Sequence, residues 1–443
     1  MEKPQLLIAA PHSGSGKTLV TLALLRHFKN AGMRVQPFKC GPDYLDTKLH
    51  SIAAGVLSYN LDLFMADAAA VRRRYAQEVS RANIAIVEGV MGMFDGYSGS
   101  KGSSAEVAKV LDIPIVLVVN AKAMAHSAAA LLKGFSSYDA GVKIAGVIFN
   151  FVGSASHYEF LKNAAIEVGV EPLGWIAPLP QLAIESRHLG LQTENADKLD
   201  SICEAAASLL LQNVNLGRLT ELTAVPAALV SCDTSPQSPA IRIAIARDAA
   251  FSFVYPSNIE QLEREGSVTY FSPLSDSKLP EADFVYLPGG YPELHAEELA
   301  RNHSMISSVR DYCDRGGAML AECGGMIYLS KYITLSDGAT YPLVGYFDFG
   351  TSMVNAKCTL GYRRVSLAGT EIRGHEFHYS HLEGDTSNSE AAVTTAAGRA
   401  ASTKIFIKRR TLASYFHFFW GENGVSIVKL VDEVSKQSRM QNG

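Results

Sequence analysis

The stretch Pro11-His12-Ser13-Gly14-Ser15-Gly16-Lys17-Thr18 constrains this chain more than any other. It follows the apolar run Leu6–Ala10 and opens an apolar helical pattern over Thr18–Ala31. Strand, glycine-rich turn, Gly-Lys-Thr and helix, in that order, make a phosphate-binding loop. Glycines let backbone N–H groups close around a polyphosphate, and the helix N-terminus adds the positive end of its dipole. Lys17 supplies a cation to the β and γ phosphates, and the Thr18 hydroxyl is suited to Mg²⁺. The first glycine of the usual eight-residue pattern is Pro11 here, which leaves Gly14 to keep the turn flexible. Gly14, Ser15, Gly16, Lys17 and Thr18 are the expected nucleotide contacts.

The pattern around this loop extends the argument. Apolar runs at Val35–Phe38, Ile84–Glu88, Ile115–Val119 and Ile144–Phe149 alternate with helical stretches at Ala66–Ser80, Ser104–Leu111, Ala125–Tyr138 and His157–Val168. Short continuous apolar strands separated by helices predict a parallel sheet covered on both faces. Glu88 ends its strand where such a fold carries a Mg²⁺-associated carboxylate, and Asp43 follows the preceding strand. Ligands of open α/β sheets bind at the carboxyl ends of strands. Thr18, Asp43 and Glu88 are therefore the expected metal ligands. The long glycine-rich loop Gly89–Ser103 reads as a lid or substrate loop, with Asp95 and Lys101 as its chemistry-bearing residues.

A break follows at Ser231–Pro239, rich in Pro, Ser and Asp and without apolar period. It divides the chain into domains at 1–232 and 241–443, joined by a linker at 233–240. Alternation then restarts, with strands expected at Ile241–Ala246, Val268–Phe271, Phe284–Pro288 and Ala318–Ala321. Helices are expected at Ile259–Glu265, Glu293–Asn302, Ile306–Arg315 and Gly324–Tyr332. A β-richer tail runs through Leu343–Tyr346, Gly361–Ser366 and Glu376–Tyr379. Within this half, Ala321-Glu322-Cys323-Gly324-Gly325 reads as strand, sharp turn and helix, with Cys323 lifted at the turn. A helix N-terminus there stabilises a thiolate and an oxyanion. Pro288-Gly289-Gly290 ends another strand, so Gly290 and Gly324 are the expected oxyanion donors. His417 is the foremost candidate base, and His375, His378 and His381 compete with it. Their extended, alternating context does not form the compact face of a metal ladder.

Charge and composition exclude other classes. Net charge is −4, which gives no sign of a nucleic-acid binder held by charge alone. No apolar run reaches the roughly 18–20 residues of a membrane span. The six cysteines are scattered, with no CxxC pair, so neither a disulfide scaffold nor a cysteine-rich zinc site is expected. The first residues lead straight into a strand without a secretory leader. A cytoplasmic α/β protein without nucleic-acid or membrane partners is the expectation.

Taken together these motifs resemble the cobyrinic acid a,c-diamide synthase family over nearly the whole chain. The first half is similar to the dethiobiotin-synthetase-like domain through Ser13–Thr18, Phe38-Lys39-Cys40-Gly41-Pro42-Asp43, Val87–Gly92 and Phe94-Asp95-Gly96. The second half is similar to cobyrinate-type class I glutamine amidotransferases through Leu287–Glu293, Ala321–Gly325, Gly361-Tyr362-Arg363, Gly374–Ser380 and Ser414–His417. The resemblance implies an α/β fold: a P-loop parallel-sheet synthetase domain followed by a flavodoxin-like class I glutamine amidotransferase domain. It implies ATP, glutamine and a corrinoid precursor as substrates, Mg²⁺ as cofactor, and amidation of the a and c carboxylates through acyl phosphates. It makes Cys323 the glutaminase nucleophile and His417 the residue that activates it, and it places Asn150 at adenine. Because two anions must approach one another, Lys39 and Lys101 are the expected substrate-side cations, with Asp43 and Asp95 beside them. A homodimer is the assembly entertained. Most class I glutaminases carry His-x-Glu, whereas position 419 here is Phe419. The group that orients His417 is thus open, with Glu376 as one guess. Hydrogenobyrinate and nickel-sirohydrochlorin are alternative substrates, and a non-enzymatic P-loop ATPase switch is the remaining alternative.

Overall fold

The structure is a computed structural model and describes residues 2–178, 196–227, 241–386, 389 and 391–442. The expected linker at 233–240 lies outside the described residues. The chain falls into two compact units, one of Met1–Leu63 with Asp67–Asp233 and one of Phe64–Ala66 with Thr234–Gly443.

In the first unit, strands β1 (Glu2–Ala9), β2 (Val35–Cys40), β3 (Tyr59–Leu61), β4 (Ile84–Glu88), β5 (Ile115–Asn120), β6 (Ile144–Asn150) and β7 (Pro172–Trp175) form a sheet in the order β3-β2-β4-β1-β5-β6-β7. All these pairs are parallel, and a short β8 (Ala224–Pro226) pairs antiparallel with β1. The helices are α1 (Lys17–Asn30), α2 (Tyr44–Ala54), α3 (Ala68–Ser80), α4 (Ser104–Leu111), α5 (Ala128–Ser137), α6 (Ala155–Glu167), α7 (Ala196–Asn213) and α8 (Leu216–Leu222). Strands β2 and β4 are buried at every residue. Side chains alternate between faces, so burial throughout requires cover on both sides, which gives the continuous apolar runs seen in the sequence. One core joins Leu6, Ile8, Leu22, Leu25, Ile86, Val118 and Leu210. Helix α2 was not anticipated from the sequence. Its start is set by Asp43, whose Oδ1 accepts from the N–H groups of Leu45 and Asp46 at 3.0 and 2.9 Å.

In the second unit, β9 (Ile241–Ala246), β10 (Gly266–Phe271), β11 (Phe284–Leu287) and β12 (Ala318–Glu322) continue the parallel style. The short strands β13 (Tyr332–Thr334), β14 (Thr340–Pro342) and β15 (Gly350–Ser352) follow, then the long hairpin β16 (Thr359–Leu367) and β17 (Thr370–His378). The tail adds β18 (His381–Glu383), β19 (Val393–Thr395), β20 (Ile405–Lys408), β21 (Thr411–Ser414) and β22 (Phe416–Phe419). The main sheet runs β10-β9-β11-β12-β21-β20, and the smaller sheets run β14-β13-β15-β18 and β19-β16-β17-β22. Helices α9 (Pro256–Glu265), α10 (Ala296–Arg301), α11 (His303–Asp314), α12 (Gly324–Leu329) and α13 (Ile427–Asn442) complete the unit.

Three expectations are corrected here. Glu293–Asn302 is not one helix, because a 3-10 turn at Pro292–His295 precedes α10. The helix expected over Gly324–Tyr332 stops at Leu329, and Tyr332 begins a strand. Leu343–Tyr346 is not a strand. Its N–H groups bond to carbonyls of Lys331, Tyr328, Ser330 and Leu329, so it wraps the end of α12. Its apolar content serves core packing, with Leu343, Val344 and Tyr346 buried against Tyr328 and Leu329.

Candidate active sites

In the first unit β1 ends at Ala9 and the loop turns through left-handed glycines before α1 starts at Lys17. Gly14 has φ 79° and Gly16 φ 90°. At Gly16 an added Cβ would also lie 2.0 Å from Asn150 Nδ2. Backbone strain of about 1–2 kcal/mol adds to that clash. Gly16→Ala is therefore expected to weaken ATP binding at least tenfold while the unit stays folded, as read by nucleotide titration beside circular dichroism.

Asn150 lies beneath this loop. Its Nδ2 donates to Ser15 O at 3.1 Å, and its Oδ1 accepts from Phe151 N–H at 2.9 Å. The side chain expected at adenine thus braces the phosphate loop. Lys17 Nζ donates to Met91 O at 2.7 Å, at the start of the glycine-rich loop.

Thr18 Oγ1 donates to Glu88 Oε1 at 2.7 Å, joining two of the expected metal ligands. Below them sits a buried charge cluster. Lys39 Nζ lies 2.9 Å from Glu88 Oε1 and 2.5 Å from Asp46 Oδ2, and His50 Nε2 lies 2.6 Å from Glu88 Oε2. Burial opposes ionisation of Glu88, but Lys39 and His50 outweigh it and hold the carboxyl well below the usual range. Burial likewise opposes the Lys39 charge, and Asp46, Glu88 and Asp43 hold its ammonium above the usual range. A hydroxyl and an ionised carboxylate are hard oxygen donors, so this pair fits a divalent cation. Lys39, expected on the substrate side, is 1% exposed and clasped by the carboxylates of Asp46 and Glu88. Asp43 serves first as the cap of α2.

The loop after β4 is tied down at its base. Met93 N–H donates to Ala10 O at 2.8 Å, and Val90 N–H donates to Ser104 Oγ at 2.9 Å. Asp95 is exposed, and its Oδ2 accepts from Gly92 N–H at 3.0 Å. Lys101 is also exposed and lines a small cavity with Phe94, Glu106 and Lys109.

In the second unit Cys323 stands between β12 and α12 at φ 45°, ψ −101°, a conformation rare for a residue with a side chain. The strain marks a forced turn of the kind found at elbow nucleophiles. Register brings the base strand alongside: Glu322 pairs with Ser414 across β12 and β21, and Cys323 N–H donates to Ser414 O at 2.7 Å. Three residues on, in β22, is His417. The Gly289-Gly290 turn closes over both. An added Cβ at Gly289 would lie 2.4 Å from His417 Cε1, and one at Gly324 would lie 3.0 Å from Gly290 N. The expected oxyanion donors, Gly290 and Gly324, are thus neighbours. Burial pushes the Cys323 thiol well above its usual range, Glu293 adds to this, and the Gly324 N–H works against it. A thiol shifted in this direction needs a base before it can act as a nucleophile.

His417 and His375 are register partners on β22 and β17, and their rings stack at 4.8 Å and 14°. Tyr255 Oη lies 2.8 Å from His375 Nδ1. Burial, then the neighbouring His417 and Arg363, hold His375 far below its usual range. His378 lies three residues on, and strand alternation turns it to the opposite face. There it stacks on Tyr415 at 3.7 Å. His381 is exposed at the start of β18.

Glu376 does not reach His417. As the residue after His375 it points to the other face, where its carboxylate takes Arg363 Nε at 2.7 Å, Thr403 Oγ1 at 2.6 Å and His378 Nε2 at 3.0 Å. The carboxylate beside His417 is Glu322, which sequence reasoning passed over as the residue before the nucleophile. Its Oε2 lies 3.8 Å from His417 Nδ1, and both residues are 0% exposed.

Two family models match the chain. Residues 6–189 match the CobQ/CobB/MinD/ParA nucleotide binding domain. Residues 242–425 match the CobB/CobQ-like glutamine amidotransferase domain. Among curated relatives, the cobyrinate a,c-diamide synthase of Caldanaerobacter subterraneus subsp. tengcongensis is 37% identical, covering 93% of this chain and 94% of that protein. Those of Listeria monocytogenes serotype 4b and Salmonella typhimurium are 36% and 38% identical, covering 98% and 94% of this chain and 100% and 95% of the relatives.

Proposed function

This chain belongs to the cobyrinate a,c-diamide synthase family, and from that premise we propose the following reading of its two sites. The chain is a glutamine-hydrolysing carbon–nitrogen ligase that amidates the a and c carboxylates of cobyrinic acid in cobalamin biosynthesis, at the cost of ATP. The observation that carries this is similarity over both units to full-length relatives of that name.

A carboxylate is a poor acceptor because its oxygen is a poor leaving group. Transfer of the γ-phosphoryl group of ATP to it makes an acyl phosphate, which ammonia displaces. In the first unit the loop glycines and Lys17 hold the nucleotide phosphates. Thr18 and Glu88 would hold Mg²⁺, which when bound offsets phosphate charge. Lys39 and His50 keep Glu88 ionised and aimed, and Asn150 fixes the shape of the loop. Asp95 and Lys101, exposed on the glycine-rich loop, are assigned to the corrinoid side, Lys101 as a cation for a polycarboxylate. Asp43 is kept near the same edge as a helix cap.

In the second unit Cys323 attacks the side-chain amide of glutamine, with His417 taking the thiol proton and returning it to departing ammonia. The N–H groups of Gly290 and Gly324 receive the oxyanion. Water then hydrolyses the thioester. The substrates are small molecules, and a cytoplasmic location and a homodimer complete the proposal.

The test incubates the purified chain with cobyrinic acid, ATP, Mg²⁺ and glutamine and counts amides by mass spectrometry. Two amides, on the a and c chains, are expected. Turnover of hydrogenobyrinate or nickel-sirohydrochlorin in its place, with cobyrinic acid untouched, overturns the substrate.

A further inference from the structure

The geometry points to Glu322 as the residue that orients His417 and sets its tautomer, taking the part that a downstream carboxylate plays in most class I glutaminases. The inference rests on the glutaminase reading above. Position 419, two residues past His417, is the buried Phe419 and supplies no carboxylate. Glu322 reaches the same imidazole from the opposite direction, from the last residue of β12, through the side of the nucleophile turn.

Four contacts define the arrangement. Phe418 N–H donates to Glu322 Oε1 at 3.0 Å, and Tyr286 Oη donates to Glu322 Oε2 at 2.8 Å. These fix the carboxylate plane from β22 and β11. Oε2 then lies 3.8 Å from His417 Nδ1, an ion-pair separation longer than a hydrogen bond. Catalytic hydrogen bonds are often long before substrate binds. The His375 ring stacks on one face of His417, and Gly289 leaves room beside Cε1. The imidazole thus has Glu322 at its Nδ1 edge, the His375 ring on one face and Gly289 beside Cε1, where an added Cβ would lie 2.4 Å away.

The chemistry follows from the edge. A carboxylate accepts hydrogen bonds only, so it favours the tautomer with the proton on Nδ1. Nε2 then carries the lone pair. The Cys323 S–H proton moves to Nε2 as sulfur bonds to the amide carbon, and the imidazolium so formed faces a carboxylate in a buried site. When the C–N bond breaks, that proton leaves on ammonia and the neutral ring returns. Glu322 touches neither sulfur nor glutamine, so it is a positioning residue. Burial pushes its carboxyl above the usual range, and His417, Tyr286 and the Phe418 N–H offset that only in part.

Glu322→Gln is the informative substitution because it keeps the shape. The amide oxygen still accepts from Phe418 N–H, and the amide NH₂ replaces Oε2 and donates towards Nδ1. That favours the wrong tautomer. Glutamine hydrolysis, measured alone without a corrinoid, is expected to fall about 10²–10⁴-fold in kcat with KM within threefold. Glu322→Asp keeps the charge and is expected to recover at least tenfold over Glu322→Gln. Tyr286→Phe, which removes one brace from the carboxylate, is expected to lie between the parent and Glu322→Gln. Ammonia-dependent amidation reports whether the rest of the chain is intact, and it is expected to match the parent. A Glu322→Gln chain that hydrolyses glutamine within threefold of the parent overturns the inference. So does an Asp variant no better than Gln when both retain ammonia-dependent activity. Because hydrolysis is read without a corrinoid, a wrong substrate assignment leaves the hydrolysis comparison interpretable, with circular dichroism of each variant replacing the ammonia control.

Discussion

Cys323→Ser is expected to abolish glutamine-dependent amidation, by at least about 10³-fold, and to leave ammonia-dependent amidation unchanged. The asymmetry follows from where the thiol stands. Cys323 is strained at φ 45°, buried to 5% exposure, and anchored through its N–H to Ser414 O. Serine fits the same turn, so the fold is retained. What is lost is the nucleophile: a hydroxyl is much harder to deprotonate than a thiol, and this site already disfavours the anion by burial. The phosphate loop lies in the other unit, and an acyl phosphate formed there accepts ammonia supplied in solution as well as from glutamine under the proposed mechanism. Equal loss of both activities would show that Cys323 serves folding or the synthetase site. Steady-state rates with glutamine and with ammonium chloride, measured side by side, decide it.

Lys17→Ala gives the complementary result. Amidation is expected to fall by about 10³-fold or more with either nitrogen donor, while glutamine hydrolysis persists. Lys17 opens α1, where the helix dipole already favours anions, and its ammonium adds a full positive charge at the loop. In this structure it reaches Met91 O, a contact it can exchange for phosphate oxygens. Removing it leaves the backbone cradle but not the cation that follows charge onto the transferred phosphoryl group. Full activity in this variant would remove the phosphate loop from the mechanism.

The two predictions rest on residues that are visible in the sequence for a physical reason. A phosphate loop and a nucleophile turn are local structures. Each needs glycines at fixed offsets, an apolar strand before and a helix after, and those requirements leave contiguous marks. The sheets are legible on the same ground, since strands buried on both faces read as apolar runs, as Ile84–Val87 of β4 shows. Elements without such a mark were missed. Helix α2 hides behind Gly-Pro-Asp, which reads as a turn until Asp43 is seen as a cap. The segment Leu343–Tyr346 is apolar enough for a strand, yet its N–H groups find their acceptors at the end of α12.

By itself, then, the sequence marked out the two half-chains, the phosphate loop with Lys17 and Thr18, Glu88 at the end of its strand, and Cys323 at a glycine turn with His417 as the foremost expected base. These choices are made by bonds to near neighbours along the chain. The tertiary structure alone decided which charges meet. It clasped Lys39 between Asp46 and Glu88, put Asn150 beneath the phosphate loop, turned Glu376 away from His417 by strand alternation, and brought Glu322 to it. Register and burial set those pairings across 49 and 95 residues of chain for Lys39–Glu88 and Glu322–His417, and no local pattern records a partner at such distance.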